Sequence, residues 1–186
     1  MAATTADPMS AEHPNAMVIQ GITGLKELAK DITRTIDEID GGSPSVRTVG
    51  VHLGWSDPLE ITQECVNTFA EATGDFQWIH VDPEKAKAES PFGGPIAHGY
   101  LTLSLGPSLA PQIFTVTGIT MGVNYGTGKV RFPSPVPVGA NLRLGAQLTA
   151  VEDIPGGAQV YMTFTFQCDG ADKPSCVAEI IFRYYE

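Results

Sequence analysis

The stretch "SPFGGPIAHGYLTLSLGPSLA", Ser90–Ala110, decides the fold. A Gly/Pro-rich loop leads into an almost wholly apolar run from Ile96 to Leu109, too apolar all round for a surface helix, so the stretch predicts a buried central helix. From about Ile119 onward the pattern changes. The segments "RLGAQLTAVEDI" (143–154), "AQVYMTFTFQC" (158–168) and "SCVAEIIFRYY" (175–185) alternate and are rich in β-branched and aromatic residues. The turn sequences "PGG" (155–157) and "DGADKP" (169–174) separate them, as expected of antiparallel strands in one sheet. Helices gathered early and hairpin-linked strands late imply an α+β domain in which a sheet packs against the buried helix. No internal repeat is visible.

Upstream, "EITQECVNTFAEATGD" (60–75) has helical spacing, with Val66, Phe69, Ala70 and Thr73 on one side, Thr62 placed to cap its start and Gly74 to stop it. Asp82 and Pro83 begin a second short helix, and the loop between the two carries "DFQWIH" (75–80). Further back, from Met17, the residues Ile22, Leu25, Ala29, Ile32, Ile36 and Ile39 recur at steps of three and four, one face of an amphipathic helix that "DGGSP" (40–44) stops. Residues 1–15 are small and polar and cannot bury enough apolar surface to offset the entropy of ordering. The expected organisation is a disordered leader over 1–15, a helical extension over 16–48 and the main domain over 49–186.

Composition bounds the function. With 186 residues, 42% hydrophobic and 17% charged, the chain can bury a core without staples. A net charge of -10 repels a phosphate backbone, so nucleic acid is not an expected partner. Any anionic ligand needs local positive charge, and "GKVRF" (128–132) offers Lys129 and Arg131. The cysteines Cys65, Cys168 and Cys176 have no CxxC spacing and no clustered histidine, which argues against a disulfide framework and a zinc site and for a reducing compartment. The sequence contains neither a membrane span nor the basic-then-apolar order of a secretory signal, so a cytoplasmic location is expected.

Asp75 and His80 stand five positions apart in a loop held by helices at both ends, where a carboxylate and an imidazole can share a water, a pair suited to general acid–base work. The commoner reading of such a pair is a turn-forming aspartate and a satisfied, half-buried histidine. "GGPIAHGY" (93–100) places small residues just ahead of the buried helix, where unpaired backbone N–H groups converge, and Gly99 allows close approach to an oxygen. His98 beside it is expected to bond a neighbouring backbone group. Lys129 and Arg131, two apart, share a face if the segment is a strand, although a solvated strand edge is the usual explanation for such a pair. No GxSxG, P-loop or GxGxxG motif occurs, which leaves a non-redox, cofactor-free reaction.

"FAEATGDFQWIHVDPEKA" (69–86), followed by "SPFGGPIAHGYLTLSL" (90–105) and "NYGTGKVRFPSPVPVG" (124–139), resembles the MaoC-like dehydratase family, which includes the (R)-specific enoyl-CoA hydratases, and particularly the branch similar to nodulation protein N. The resemblance spans roughly residues 50 to 186. It implies a hot dog fold, an antiparallel sheet wrapped around a long central helix, and a homodimer joined sheet edge to sheet edge. It also implies a reaction of fatty acid metabolism, the interconversion of trans-2-enoyl-CoA and (R)-3-hydroxyacyl-CoA. Asp75 would be base to the attacking water, His80 would position that water and help manage the proton delivered to the α-carbon, and the Gly99 N–H would stabilise the enolate-like oxygen. Gln77, Trp78, His98, Asn124, Lys129 and Arg131 would contact substrate. Gln77 and Trp78 stand where many members have Asn-Pro, and Pro107 stands where some carry an aspartate-orienting serine, with Ser104 one turn earlier. No metal or redox cofactor is implied. CoA is part of the substrate, and an acyl-carrier-protein thioester is the alternative carrier. The rival functions are a thioesterase on the same fold and a non-catalytic acyl-thioester-binding subunit of a dehydratase complex.

Overall fold

The computed structural model describes residues 13–40 and 50–186, with the side chains of residues 31 and 33–40 outside that description. The chain runs β1 (Met17–Gln20), α1 (Gly21–Asp40), β2 (Val51–Trp55), β3 (Leu59–Glu60), α2 (Gln63–Thr73), α3 (Trp78–Val81), α4 (Pro83–Glu89), α5 (Gly99–Ser104) and α6 (Gly106–Leu109), followed by a 3-10 turn (Ala110–Gln112). It continues through β4 (Phe114–Thr117), β5 (Met121–Arg131), β6 (Asn141–Ile154), β7 (Gly157–Cys168) and β8 (Cys176–Tyr185).

The main sheet follows the order β2-β6-β7-β8-β5, all antiparallel, with β3 also paired to β6. Its centre is the strand whose sequence alternates most strictly. Along β7 every second residue is buried, so Ala158, Val160, Met162, Phe164, Phe166 and Cys168 face the core while polar neighbours face outward. The β6–β7 turn closes on Pro155 and Gly156, the latter at φ 74°, where a side chain is disfavoured. At Gly157 a Cβ would lie 2.1 Å from the carbonyl oxygen of Tyr184, so only glycine lets β8 come this close.

The apolar run is helical from Gly99, but in two short pieces, α5 and α6, with the 3-10 turn after them. Pro107 has no N–H for the helical ladder, and the chain turns at Leu105 between α5 and α6. Nor is it buried all round. Leu101, Thr102, Gly106, Leu109 and Ala110 face the sheet, where Gly106 lets the helix approach the rings of Phe164 and Phe166. Tyr100, Ser104 and Pro107 face away, Tyr100 with 72% of its surface exposed.

Three further differences concern the edges of the fold. The helix expected from Met17 begins at Gly21. Met17–Gln20 is a strand paired in parallel with β4, a partner nearly one hundred positions away that local spacing cannot reveal. β2 and β3 are strands in the half of the chain read as helical. The side chains of Ile36 and Ile39, and residues 41–44 of the expected helix stop, lie outside the described residues, as do residues 1–12 of the expected leader. Residues 13–15 form a turn closed by the N–H of Ala16 on the His13 carbonyl, 2.9 Å.

Ile19, Ile22, Leu25 and Ile32 join the same buried cluster as the sheet's inward residues. The amphipathic face of α1 is thus spent on the core. Leu25 is 1% exposed. Leu25→Ala is therefore expected to destabilise the whole domain by about 2–5 kcal/mol, read as a lowered urea midpoint in a single transition. An unchanged midpoint would show that α1 is not part of the cooperative unit.

Candidate active site

Local sequence builds the first half of the site. Thr62 caps α2 through its hydroxyl, which accepts from the Cys65 N–H, and Gly74 ends the helix at φ 78° with its N–H on the Ala70 carbonyl. Asp75 follows at once. One turn of helix, α3, then carries His80 inward, and Asp82 starts α4 by accepting the Lys85 N–H. The helix stop and both caps stand where the sequence placed them.

His80 is 7% exposed, and its Nδ1 lies 2.7 Å from the Ile96 carbonyl oxygen. A carbonyl only accepts, so Nδ1 carries the proton and Nε2 of the neutral ring keeps the lone pair. His98, 3% exposed, uses Nε2–H to donate to the backbone carbonyl of Asp75 at 2.9 Å, and its own Nδ1 is buried without a partner. The two imidazoles lie 3.9 Å apart between centroids at 31°, and the Phe69 ring touches His98 at 5.1 Å. The Asp75 carboxylate is exposed, and its oxygen lies within 4.8 Å of ring nitrogens of both histidines. Burial pushes the pKa of His80 below the ordinary histidine value. The Ile96 hydrogen bond opposes that shift, the neighbouring His98 adds to it, and the Asp75 charge opposes it again.

Among the described residues, Asp75, His80 and His98 are the set with ligand atoms close enough to hold a cation. Each ring, however, already spends one nitrogen on a carbonyl. The arrangement suits proton transfer at a bound water better than chelation.

His80 lines a cavity of about 280 Å³ together with Phe92, Gly99, Thr102, Phe132 and Ser175. Gly99 is the first residue of α5, so its N–H has no helical acceptor, and a Cβ there would lie 3.2 Å from the Phe132 ring. Thr102 and Ser175, both buried, were not read from the sequence. Ser175 follows the β7–β8 turn, and nothing local ties it to a histidine 95 positions earlier. Gln63 was missed in the same way; its side-chain amide donates to the His80 carbonyl at 2.7 Å.

The remaining expected contacts are scattered. Gln77 is exposed, with its N–H 3.4 Å from Asp75 Oδ1, and Trp78 is half-buried with Lys85 Nζ 5.0 Å above its ring. Asn124 lines a different cavity, of about 300 Å³, beside Ser104, Pro107, Phe164 and Phe182. Ser104 donates its hydroxyl to the Tyr100 carbonyl at 2.6 Å, so within the protomer that hydroxyl does not orient Asp75. Lys129 and Arg131 are exposed near the end of β5. A register shift between Thr127 and Val130 interrupts the alternation on which their shared face rested. Among the aromatic residues nearby, Phe92 lines the His80 cavity although it is half exposed, and Phe76 and Tyr100 are exposed.

Residues 45–165 match the family model described as MaoC like domain. The 3-hydroxyacyl-thioester dehydratase Z of Mycobacterium tuberculosis is 54% identical over 136 residues, which cover 73% of this chain and 89% of that protein. Nodulation protein N of Rhizobium leguminosarum bv. viciae is 40% identical over 139 residues, 72% of this chain and 84% of that one. The solved (R)-hydratase from A. caviae involved in PHA biosynthesis superposes with a TM-score of 0.60 over 75% of this chain and 98% of its own at 24% identity, which shows the hot dog fold.

Because its folded pKa is lowered, His80 binds its proton less readily in the native state than in the unfolded one. Its neutral form contributes stability that is complete above about pH 6.5, the unfolded value, and declines as the pH falls below it. In an NMR titration the His80 ring is expected to titrate below the ordinary histidine value of about 6.5; a midpoint at or above that value would contradict the burial argument.

Proposed function

This chain belongs to the MaoC-like domain family, and on that premise we propose that it interconverts trans-2-enoyl-CoA and (R)-3-hydroxyacyl-CoA, with Asp75 and His80 activating the water. It is an acyl-thioester hydratase/dehydratase, a hydro-lyase. The observation that carries the residue assignment is the buried His80, its Nδ1 committed to Ile96, with the Asp75 carboxylate beside it.

In the hydration direction, the Asp75 carboxylate takes a proton from the water as its oxygen bonds to the β-carbon. Nε2 of His80 holds that water by its lone pair. Electron density moves to the thioester oxygen, where the Gly99 N–H stabilises the developing negative charge, and the α-carbon then takes the proton that Asp75 removed from the water, with His80 helping to deliver it, so that the carboxylate is regenerated. The thioester makes this possible by lowering the acidity barrier at the α-carbon. These steps call for neither metal nor redox cofactor, since every proton moves between water, substrate and the dyad.

The reading places the activity in residues 49–186 and takes CoA as the carrier. Lys129 and Arg131 support that choice. Both are exposed, and neither has an ion-pair partner among the described residues, so they can meet phosphates on a chain of otherwise negative charge. The acyl group would pass Gln77 and Trp78 toward Asn124, while His98, buried behind them, is closed to it. The homodimer is supported by the free outer edge of β5 and by the exposed Tyr100, Met121, Tyr125 and Phe132 on or near it, which an edge-to-edge partner would cover. Three free cysteines suit a reducing cytoplasm, and no described helix is long and apolar enough to cross a membrane.

Mixing the protein with crotonyl-CoA and with a longer enoyl-CoA is expected to abolish the conjugated enoyl absorbance. Asp75→Asn and His80→Ala are each expected to slow that loss by roughly 10²–10⁴-fold. Release of free thiol in place of hydration would turn the reading to a thioesterase. The double variant Lys129→Ala/Arg131→Ala is expected to raise KM for the CoA thioester at low salt with little effect on kcat, and an unchanged KM would remove both residues from the CoA site.

A further inference from the structure

We infer that His98 is a positioning residue, which sets the catalytic carboxylate by holding the backbone of Asp75 and makes no contact with substrate; this rests on the hydratase reading above. Asp75 sits on a short exposed loop directly after the left-handed turn at Gly74. Its side chain has one weak local tie, Oδ1 to the Gln77 N–H at 3.4 Å. The short bond that reaches Asp75 from another part of the fold comes from His98, whose Nε2–H donates to its carbonyl at 2.9 Å across 23 positions.

The burial of His98 makes sense only with that bond. The ring is 3% exposed and lies between neighbours that need only an apolar body, the Phe69 ring and the face of His80. Leucine or methionine would fill the same space without stranding a nitrogen, whereas the imidazole leaves Nδ1 buried with no partner. The donor on Nε2 is the feature that packing cannot replace. Two residues earlier in the same segment, the Ile96 carbonyl holds His80. The segment Ile96–His98 therefore grips both members of the dyad, one through a carbonyl and the other through an imidazole N–H. A ring with one nitrogen committed to Asp75 and the other enclosed by protein has no polar atom left to offer a substrate.

Glutamine places its amide nitrogen as many bonds from the backbone as histidine Nε2, while methionine has that length and no donor. His98→Gln is expected to keep kcat for crotonyl-CoA hydration within about threefold of the parent, and His98→Met to lower kcat by about tenfold or more, KM staying near the parent value in both. His98→Asn, whose amide falls short at the Nδ1 position, should behave as His98→Met does and serves in its place if that variant fails to fold. Equal losses in the glutamine and donor-less variants, or a raised KM with unchanged kcat, would overturn the assignment. Amide hydrogen exchange at Phe76 and Gln77 reads the same bond without reference to any reaction. It should accelerate in His98→Met and His98→Asn and not in His98→Gln. If the parent shows no hydration yet the exchange pattern holds, the hydratase reading fails and the positioning role stands. Hydration in the parent with exchange unchanged in every variant removes the positioning role alone.

Discussion

The structure depends on one short segment, Pro95–His98, that hydrogen-bonds in several directions at once. The Ile96 N–H donates to the Ile79 carbonyl at 3.0 Å, and the Ile96 carbonyl accepts from His80. The Ala97 N–H reaches the Val136 carbonyl at 2.8 Å, and the Pro95 carbonyl accepts from Val138 at 3.0 Å. With His98 on Asp75, these bonds join the loop and helices that carry the dyad to the entry into α5 and to the loop that follows β5. The segment is largely buried, so each bond is formed away from competing water and holds its geometry. Acid–base catalysis needs this kind of fixed placement, because reacting groups must be ordered before the reaction and not during it.

The environments of the two acid–base groups differ in a way that suits the proposed division of labour. His80 is buried and held neutral, with its proton on the side away from the lone pair. Asp75 stands exposed beside it, open to water. A carboxylate and a water-holding acceptor then stand side by side, and the N–H of Gly99 supplies the complementary positive end of the site. The exposed apolar strip along β5 and the outer face of α5 lies close to these groups in sequence, with Phe132 belonging both to that strip and to the His80 cavity wall. An edge-to-edge partner would border the site as well as complete the sheet.

Much of this was legible before any coordinates. Thr62, Gly74 and Asp82 act where the sequence placed them because caps and stops are local, each decided within about one turn of helix. The strands β6 to β8 were legible because each buries one face, so that alternation in composition follows alternation in space. Expectations failed where a partner lay far along the chain or the backbone broke its period. Met17–Gln20 becomes a strand because β4 receives it, Pro107 divides the central helix, and the bulge before Val130 disturbs the alternation that was to align Lys129 with Arg131.

By itself the sequence determined the α+β pattern, the Asp75–His80 spacing at a helix end and the glycine that opens the buried helix, since all of these follow from side-chain type and short-range periodicity. Tertiary structure alone decided which nitrogen of each histidine is committed, which hydroxyls line the cavity and which backbone groups hold the dyad. Those choices depend on groups brought together from 16 to 95 positions apart, and periodicity carries no information at that range.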